Sequence, residues 1–289
     1  MKRLCIPLMM GWVICCAQST ANAQEFKDHI KKEFTLRKSA LNSVLTIYNF
    51  SGSIKVEGYS GDKVIMDIDE KITAKNETQL EKGKKEFKMV FEQNDDTVTF
   101  YIAEPYDTRP YRDSINRRYD DRDIRYNCNL EFVLKVPFSM NLNVSTVTDG
   151  DVDITDISGR LSAHNVNGSI KIINAKNTTN AHTINGNITI NYIDNPKEES
   201  NYYTLNGDLR ITYLPDLSAD MQFKTMNGHF YTDFTNAEVL PVRVTKTKEK
   251  EGEGTVYKLG KSRDVRIGAG DKTFKFETLN GNVYIKKQS

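Results

Sequence analysis

The sequence predicts an all-β, single-domain β-solenoid, on three observations: a recurring phrase, evenly spaced corners, and alternating apolar residues after each corner. The phrase occurs five times, as NVNG (165–168), TING (183–186), TLNG (204–207), TMNG (225–228) and TLNG (278–281). Counted from Gly150, its glycines stand 18, 18, 21, 21 and 53 residues apart. Coils of about 18–21 residues are expected, each rising one strand spacing of about 4.8 Å.

The corners follow from a shorter spacing within the repeat. Gly150, Gly159 and Gly168 are nine residues apart, and Asn177 continues the series to Gly186. Glycine and asparagine accept positive φ angles, so each is predicted to mark a sharp turn between two strands. A sandwich with strands every 8–12 residues is the rival all-β fold, but its strands have no reason to share one phrase.

Apolar residues on both sides of each glycine predict which side chains face the core. After the glycine, the second and fourth residues are apolar except at Thr232 in the Gly228 copy, which is typical of a strand with one wet face. They are Val152/Ile154, Ile170/Ile172, Ile188/Ile190, Leu209/Ile211 and Val283/Ile285. Before the glycine, the fifth and second residues back are apolar and are both expected to face inward. They are Ala163/Val166, Ala181/Ile184, Tyr202/Leu205, Phe223/Met226 and Phe276/Leu279. Because these pairs are three residues apart, a bulge or bend is predicted between them, with the intervening Thr facing outward or capping the turn.

A similar sequence occurs at 47–56 and contains Gly52, and Gly61 follows nine residues later. This predicts the first coil. Insertions are expected near 74–90, 103–127 and 243–263. The first begins with a short helix over 76–85 and leads into a hairpin. The second is rich in Arg, Asp and Tyr and is predicted to be an exposed loop. The third alternates Lys and Glu around glycines, as a protruding hairpin would.

The N-terminal 23 residues have the pattern of a signal peptide. Lys2 and Arg3 precede an apolar run over 6–16, and an A-x-A cleavage site follows at 21–23. The predicted domain is therefore 24–289, exported to the periplasm or cell surface of a Gram-negative bacterium, with no transmembrane segment after cleavage. Lipid anchoring at Cys15 or Cys16 is the less favoured alternative, because the residues before them are not small.

Charge and cysteine usage exclude some classes of function. The chain has 40 Lys and Arg against 39 Asp and Glu, and without Lys2 and Arg3 the balance is 38 against 39. A nucleic-acid-binding protein would show a dominant basic surface, so none is expected as a partner. Cys128 is the one cysteine after residue 23. Its place in a strand-like run predicts a buried structural thiol.

Three features together resemble a known family. These are the G-x-[IV]-x-[IV] strand after each T-x-N-G corner, the helical insertion after the first coil, and the closing VRIGAGDKTFKFETLNGNVYIKK (265–287). They are similar to bacterial "putative adhesin" domains of unknown function and to the head-GIN domains of Gram-negative exported proteins. The resemblance covers about 40–289. It implies a right-handed, extracytoplasmic β-solenoid of the cell envelope, with no catalytic residues to carry over.

Two groups of residues are candidates for binding. Arg109, Tyr111, Arg112 and Tyr119 combine aromatic planes with bidentate donors suited to a glycan or protein partner. A charged loop that keeps the domain soluble is the favoured interpretation of this segment. His164 and His182 occupy equivalent places in adjacent coils, about 5 Å apart, where two imidazoles could share Zn²⁺ or Ni²⁺. Because no further ligand completes the set, a solvent-facing ladder is favoured, and no metal or cofactor is predicted.

The leading hypothesis is a non-catalytic protein that serves adhesion or interaction with an envelope protein or glycan through its loops and outer ladders. One alternative is a polysaccharide lyase or hydrolase, because Asp149, Asp151, Asp153 and Asp156 cluster and Asp151 and Asp153 share an outward face. The nucleophile-elbow, phosphate-loop and HExxH motifs are absent from the sequence. A third hypothesis is an envelope-sensing module that partners a membrane protein.

Overall fold

The computed structural model of the protein describes residues 23–110, 124–241, 243–251 and 254–289. Over these residues the chain is all-β with one α-helix, and it forms two large mixed sheets that do not close into a barrel. The predicted all-β class is therefore confirmed. Within the described ranges, no helix is long and apolar enough to cross a membrane.

Ten strands form sheet A. In spatial order they are β1 (Gln24–Thr35), β4 (Lys63–Ala74), β7 (Tyr126–Pro137), β3 (Ile54–Tyr59), β9 (Val152–Thr155), β11 (Ile170–Ala175), β13 (Ile188–Tyr192), β15 (Leu209–Tyr213), β22 (Val283–Lys287) and β17 (Phe230–Thr232). Strands β1, β4 and β7 pair antiparallel, and every pair from β7 to β17 is parallel.

Sheet B lies opposite, and most of its pairs are also parallel. In spatial order its strands are β18 (Ala237–Val239), β20 (Gly254–Ile267), β16 (Ala219–Asn227), β21 (Thr273–Asn280), β14 (Ser200–Asn206), β12 (Thr179–Asn185), β10 (Leu161–His164), β8 (Asn141–Ser145), β2 (Val44–Tyr48), β6 (Thr97–Glu104) and β5 (Lys88–Gln93). Strand β19 (Arg243–Glu251) pairs antiparallel with β20, outside this order. Pairs from β16 to β6 are parallel.

From β8 to β17 the chain alternates between the sheets, one strand in B and the next in A. Each repeat thus ends a sheet B strand at its Asn and starts a sheet A strand just after its Gly. The paired Val, Ile and Leu residues after each glycine are at most 1% exposed and form the core between the sheets. Burying each such side chain stabilises the fold by roughly 1.5–3 kcal/mol, and the predicted alternation is confirmed.

The repeats do not stack in chain order. The last repeat, β21 and β22, lies between the repeat of β14 and β15 and the repeat of β16 and β17. Its phrase aligns with both neighbours, because Thr278 pairs with Thr204 on one side and with Thr225 on the other. The spatial order of the repeats therefore differs from their order along the chain.

The insertions have the predicted secondary structure where they are described. Helix α1 (Glu77–Glu86) is capped by Asn76, whose side-chain oxygen accepts a hydrogen bond from the Gln79 backbone N–H at 3.0 Å. Strands β5 and β6 form the expected hairpin, and β19 and β20 form another over the third insertion. A 3₁₀ turn spans Ala40–Asn42.

Close backbone stacking, rather than a positive φ angle, requires the repeat glycines. None of the six, all within the described residues, has a positive φ. A Cβ atom on Gly186 would instead collide with the carbonyl oxygen of Gly168, and one on Gly281 with that of Gly207. The left-handed conformation expected at these corners occurs at Asp149, with φ 58°. The predicted role of the glycines is corrected accordingly.

The first residue of each phrase, which is Thr in four copies and Asn165 in the other, faces inward, and the apolar residue after it faces outward. Thr183 and Thr204 are fully buried, and each hydroxyl donates to the carbonyl oxygen of the preceding repeat's glycine at 2.8 Å. Strand β12 therefore alternates from Thr179 to Ile184, with β14 in continuous register beside it. The predicted bulge is absent from this pair, and the inward placement of Val166, Ile184, Leu205, Met226 and Leu279 is wrong. A buried glycine carbonyl needs a donor, and Thr supplies it.

Three tyrosines fill the core near the middle of the stack. Tyr192, Tyr202 and Tyr213 are fully buried, and their hydroxyl oxygens are joined by hydrogen bonds of 2.8 and 3.0 Å. Removal from water raises the pKa of all three well above the ordinary value. The core therefore holds a neutral hydroxyl chain with its partners in place.

Candidate binding face

The outward side chains of β8, β10, β12 and β14 are polar but carry no ionised group along these described strands. Their outward polar residues are Asn141, Asn143, Ser145, Ser162, His164, Asn180, His182, Asn201 and Tyr203. We call this surface the neutral face. Since 27% of the chain is Asp, Glu, Lys or Arg, its composition is distinctive.

An apolar stripe runs along the neutral face and continues beyond it. It consists of the phrase residues that were expected to be inward, in the spatial order Val166, Ile184, Leu205, Leu279 and Met226. Met226 is 76% exposed, Leu279 is 37% exposed, and the other three are half-buried. Five strands at about 4.8 Å make the stripe about 19 Å long. A continuous apolar row in water is typical of an interaction surface.

An asparagine ladder borders the stripe at the corner of the stack. Asn185 donates through its side-chain amide to the Asn167 side-chain oxygen, and Asn206 donates to Asn185, both at 2.8 Å. Asn280 and Asn227 extend the chain at the same distance. Each amide inside the ladder uses one N–H and one oxygen lone pair, so a second donor and acceptor remain for a ligand.

A row of rings lies on the other side of the stripe. His164 and His182 are register partners with ring centroids 5.8 Å apart, and the Tyr203 ring meets His182 edge-on at 4.4 Å. Ser162 Oγ lies 3.0 Å from His164 Nε2. Burial lowers the pKa of both imidazoles, and the neighbouring imidazole lowers that of His164 further. The two rings are therefore neutral at pH 7.

The predicted loop residues are only partly described. Arg109 lies 3.9 Å over the ring of Tyr101 and binds Asp107 through two nitrogens, at 2.6–3.2 Å. This contact raises the pKa of Arg109 and lowers that of Asp107. Its guanidinium is thus held by the protein itself. Tyr111, Arg112 and Tyr119 lie outside the described residues.

Register places Arg109's platform on the same row as the histidines. Tyr101 pairs with Tyr48, Tyr48 with Ser145, and Ser145 with His164. The structure therefore puts Arg109, through Tyr101, on the same side of sheet B as His164. Three strand spacings, about 14 Å, separate them, so they do not form one compact site.

The clustered aspartates hold turns and ladders. Asp151 Oδ1 accepts from the Ser169 backbone N–H at 2.7 Å, and Asp156 Oδ1 accepts from the Asn174 amide at 2.7 Å. Asp153 lies between Lys55 and Lys171 on the outer side of sheet A. The hypothesis of a carboxylate pair for glycan cleavage stays a prediction.

A cleft of about 750 Å³ lies beside the first repeats. Phe50, Ile102 and Tyr106 form apolar walls, and Lys71 and Cys128 lie at its polar side. Burial, with a smaller contribution from Glu70, raises the pKa of Cys128 to about 12. The thiol is therefore protonated at neutral pH, but Cys128 is half-buried and not fully buried as predicted. In the described part of the chain, no three His, Cys, Asp or Glu side chains are grouped to hold a metal ion.

Known proteins resemble this chain only weakly. No protein-family model matches the chain, and no curated protein matches it. A crystal structure of a "putative cell adhesion protein" from Clostridium sporogenes is 12% identical over 92% of this chain and 100% of that chain, with a TM-score of 0.43. A "putative lipid binding protein" from Parabacteroides distasonis is 9% identical over 91% and 97%, with a TM-score of 0.21. Scores this low do not establish a shared fold.

Proposed function

We propose that this protein is a non-catalytic, exported β-solenoid of the bacterial envelope that serves adhesion through its neutral face. The alternating path between two parallel ladders supports a solenoid, and its right-handed winding is the form implied by the family resemblance. The N-terminal 23 residues support export to the periplasm or cell surface.

The observation that carries the proposal is the apolar stripe, of which Val166, Ile184 and Leu205 lie on the neutral face. Desolvating neutral amides and apolar side chains costs far less than desolvating charges, so this face can be covered by a partner at low cost. A surface needed only for solubility would carry charges, as the outer side of sheet A does. The face spans neighbouring rigid strands, so its contacts are held in place before a partner arrives.

Binding of the purified full-length protein to isolated Gram-negative cell envelopes tests this function. Ile184→Asp places a charge in the stripe, and we expect binding at least tenfold weaker than wild type. Ile173→Asp makes the same substitution at a half-buried outward position of sheet A and is the matched control. Circular dichroism and melting temperature establish that both variants are folded.

Equal binding by wild type, Ile184→Asp and Ile173→Asp would contradict the function. A second stripe variant, Met226→Asp, guards against local misfolding at the half-buried Ile184, because Met226 is 76% exposed. We expect it to weaken envelope binding while leaving the melting temperature within about 2 °C of wild type.

A further inference from the structure

We infer that the partner of the neutral face is an uncharged polysaccharide chain that lies across the strands, along the apolar stripe. This inference rests on the proposed function and names its ligand class. It is drawn from the chemistry of the three adjoining rows: the asparagine ladder, the apolar stripe and the row of rings.

A sugar ring has apolar C–H faces and a rim of hydroxyl groups, and the three rows match this division. The stripe and the rings of His182 and Tyr203 offer apolar and π surfaces to C–H faces. The ladder amides at Asn185 and Asn206 offer one free donor and one free acceptor each to hydroxyls. Protein sites for small polar ligands combine the same two kinds of contact.

Repetition along the stack favours a polymer over a single sugar. Asn185, Asn206, Asn280 and Asn227 present the same amide on successive strands, about 4.8 Å apart. Contacts repeated along one chain add up as linked binding events do, so individually weak sites give useful affinity. Amides already fixed by their neighbours lose little conformational entropy on binding.

The absence of charge on the described strands of the face selects a neutral ligand. An anionic polysaccharide or nucleic acid would be bound through Lys or Arg, whose release of counterions drives such association. The rows that start at Asn143 and Ser145 hold none from β8 to β14, and their ionised side chains begin at Lys275 and Glu277 of β21. Arg160 lies at the edge of the face beside Asn141 and is neutralised by its ion pair with Glu198 at 2.9 Å. The outer side of sheet A, with Lys55, Lys171 and Arg210, is where such a polymer would bind.

Other partners fit this surface less well. A peptide adding as a strand needs a free sheet edge, but β10, β12 and β14 are paired on both sides. A lipid surface would cover the asparagine ladder together with the stripe, and buried amides without water lose more than a one-residue-wide stripe gains.

Envelopes treated in two ways identify the ligand class. Mild periodate oxidation destroys vicinal diols of sugars, and protease treatment removes exposed protein. We expect periodate to abolish binding of the wild-type protein and protease to leave it unchanged. If protease abolishes binding and periodate does not, the glycan is overturned while adhesion through the face stands, provided Ile184→Asp still binds weakly.

Soluble polymers test the neutrality directly. Titration with dextran, mannan and a β-glucan, against polygalacturonate as the anionic comparison, is followed by intrinsic fluorescence and calorimetry. We expect at least one neutral polymer to bind, with an affinity that changes less than twofold between about 0.05 and 0.5 M salt. Asn206→Ala and Tyr203→Ala should each weaken it at least fivefold, with Thr189→Ala on sheet A as the control.

Two results would overturn the inference. One is preferential binding of polygalacturonate that weakens steeply with salt. The other is envelope binding that survives periodate. If envelope binding is lost with periodate but none of the three neutral polymers binds, the glycan class is supported and these three sugars are excluded.

Discussion

Neighbouring strands pair in parallel register in both sheets, but the outer sides of the two sheets differ in the chemistry of their side chains. On sheet A one row reads Lys55, Asp153, Lys171, Thr189, Arg210 and Tyr284 across neighbouring strands. On sheet B the equivalent row reads Ser145, His164, His182 and Tyr203. Register neighbours of opposite charge favour one pairing and keep a parallel sheet soluble. From β8 to β14, this row of sheet B holds its register without charged neighbours, so a partner can cover it without desolvating an ionised group.

What holds the register of sheet B lies at the corner. The buried threonine hydroxyls and the exposed asparagine amides connect each repeat to the next. A one-residue slip would break both ladders and expose the core residues. The polar contacts that fix the register of sheet B thus lie at the corner, and the apolar stripe beside them is free to contact a partner.

The largest expected effect is a loss of stability from a substitution at the corner, where the strands of both sheets meet. Gly186→Ala puts a methyl group against the Gly168 carbonyl oxygen, which is backbone and cannot move aside without separating the repeats. We expect a loss of about 3 kcal/mol or more in the free energy of unfolding, measured by urea titration. Lys171→Ala, on the exposed side of sheet A, is the control and should stay within about 0.5 kcal/mol. A tolerated Gly186→Ala would mean that the corners are not close-packed.

The next effect concerns the core that the two sheets share. Since burial raises the pKa of Tyr213, the unfolded state loses its proton first, and stability falls as pH rises above about 10. Tyr213→Phe should remove about 1.4 kcal/mol per pH unit from that decline. Urea unfolding at a series of alkaline pH values measures it, with Tyr231→Phe, a half-exposed tyrosine, as the control. An identical slope in Tyr213→Phe would place its hydroxyl in water.

Much of the fold was predictable from sequence, because period-two burial after each glycine leaves one arrangement of the strand. Ile188 and Ile190 are buried as expected. The placement of Ile184 failed for a physical reason: its apolar side chain suggested the core, but the glycine carbonyl below needed the hydroxyl of Thr183. The clue was the Thr that stands three residues before the glycine in four of the five phrases, which strict alternation would have put inward.

Spatial order and the candidate site were harder to predict. Repeats that share one phrase can pair with any neighbour, so the insertion of β21 and β22 between earlier repeats has no signal in the phrase itself. The neutral face was missed because Val166, Ile184 and Leu205 were assigned to the core, so that its apolar stripe did not appear. His164 and His182 were the two members found, because histidine recurs at the coil spacing of 18 residues.

A smaller effect tests the support beneath the neutral face alone. Thr183→Val keeps the shape of the side chain but removes the hydroxyl that donates to the Gly168 carbonyl at 2.8 Å. We expect a loss of about 1–2 kcal/mol, because a buried carbonyl is left without this donor. Thr189→Val, on the outer side of sheet A, is the matched control and should change stability by less than about 0.5 kcal/mol. Equal losses of stability in the two variants would show that the threonine hydroxyls do not hold the register of sheet B.

The smallest effect puts charge on the neutral face by protonation. Burial lowers the pKa of His164 and His182, so the unfolded chain binds protons more readily, and stability present above about pH 6.5 falls as pH decreases. Ser145 and Tyr203 flank the pair from β8 and β14, and neither supplies a negative charge to hold imidazolium. The double variant His164→Gln, His182→Gln should lose this decline in stability at acid pH, which in wild type is seen as a melting-temperature difference on the order of 2 °C between pH 7 and pH 5.

The same variant also tests binding. It should bind its ligand equally at both pH values, whereas binding by the wild-type protein weakens at pH 5. If wild type binds as tightly at pH 5 as at pH 7, neutrality of the histidine row is not what the partner recognises, and the contrast between the two faces would lie in the apolar stripe alone.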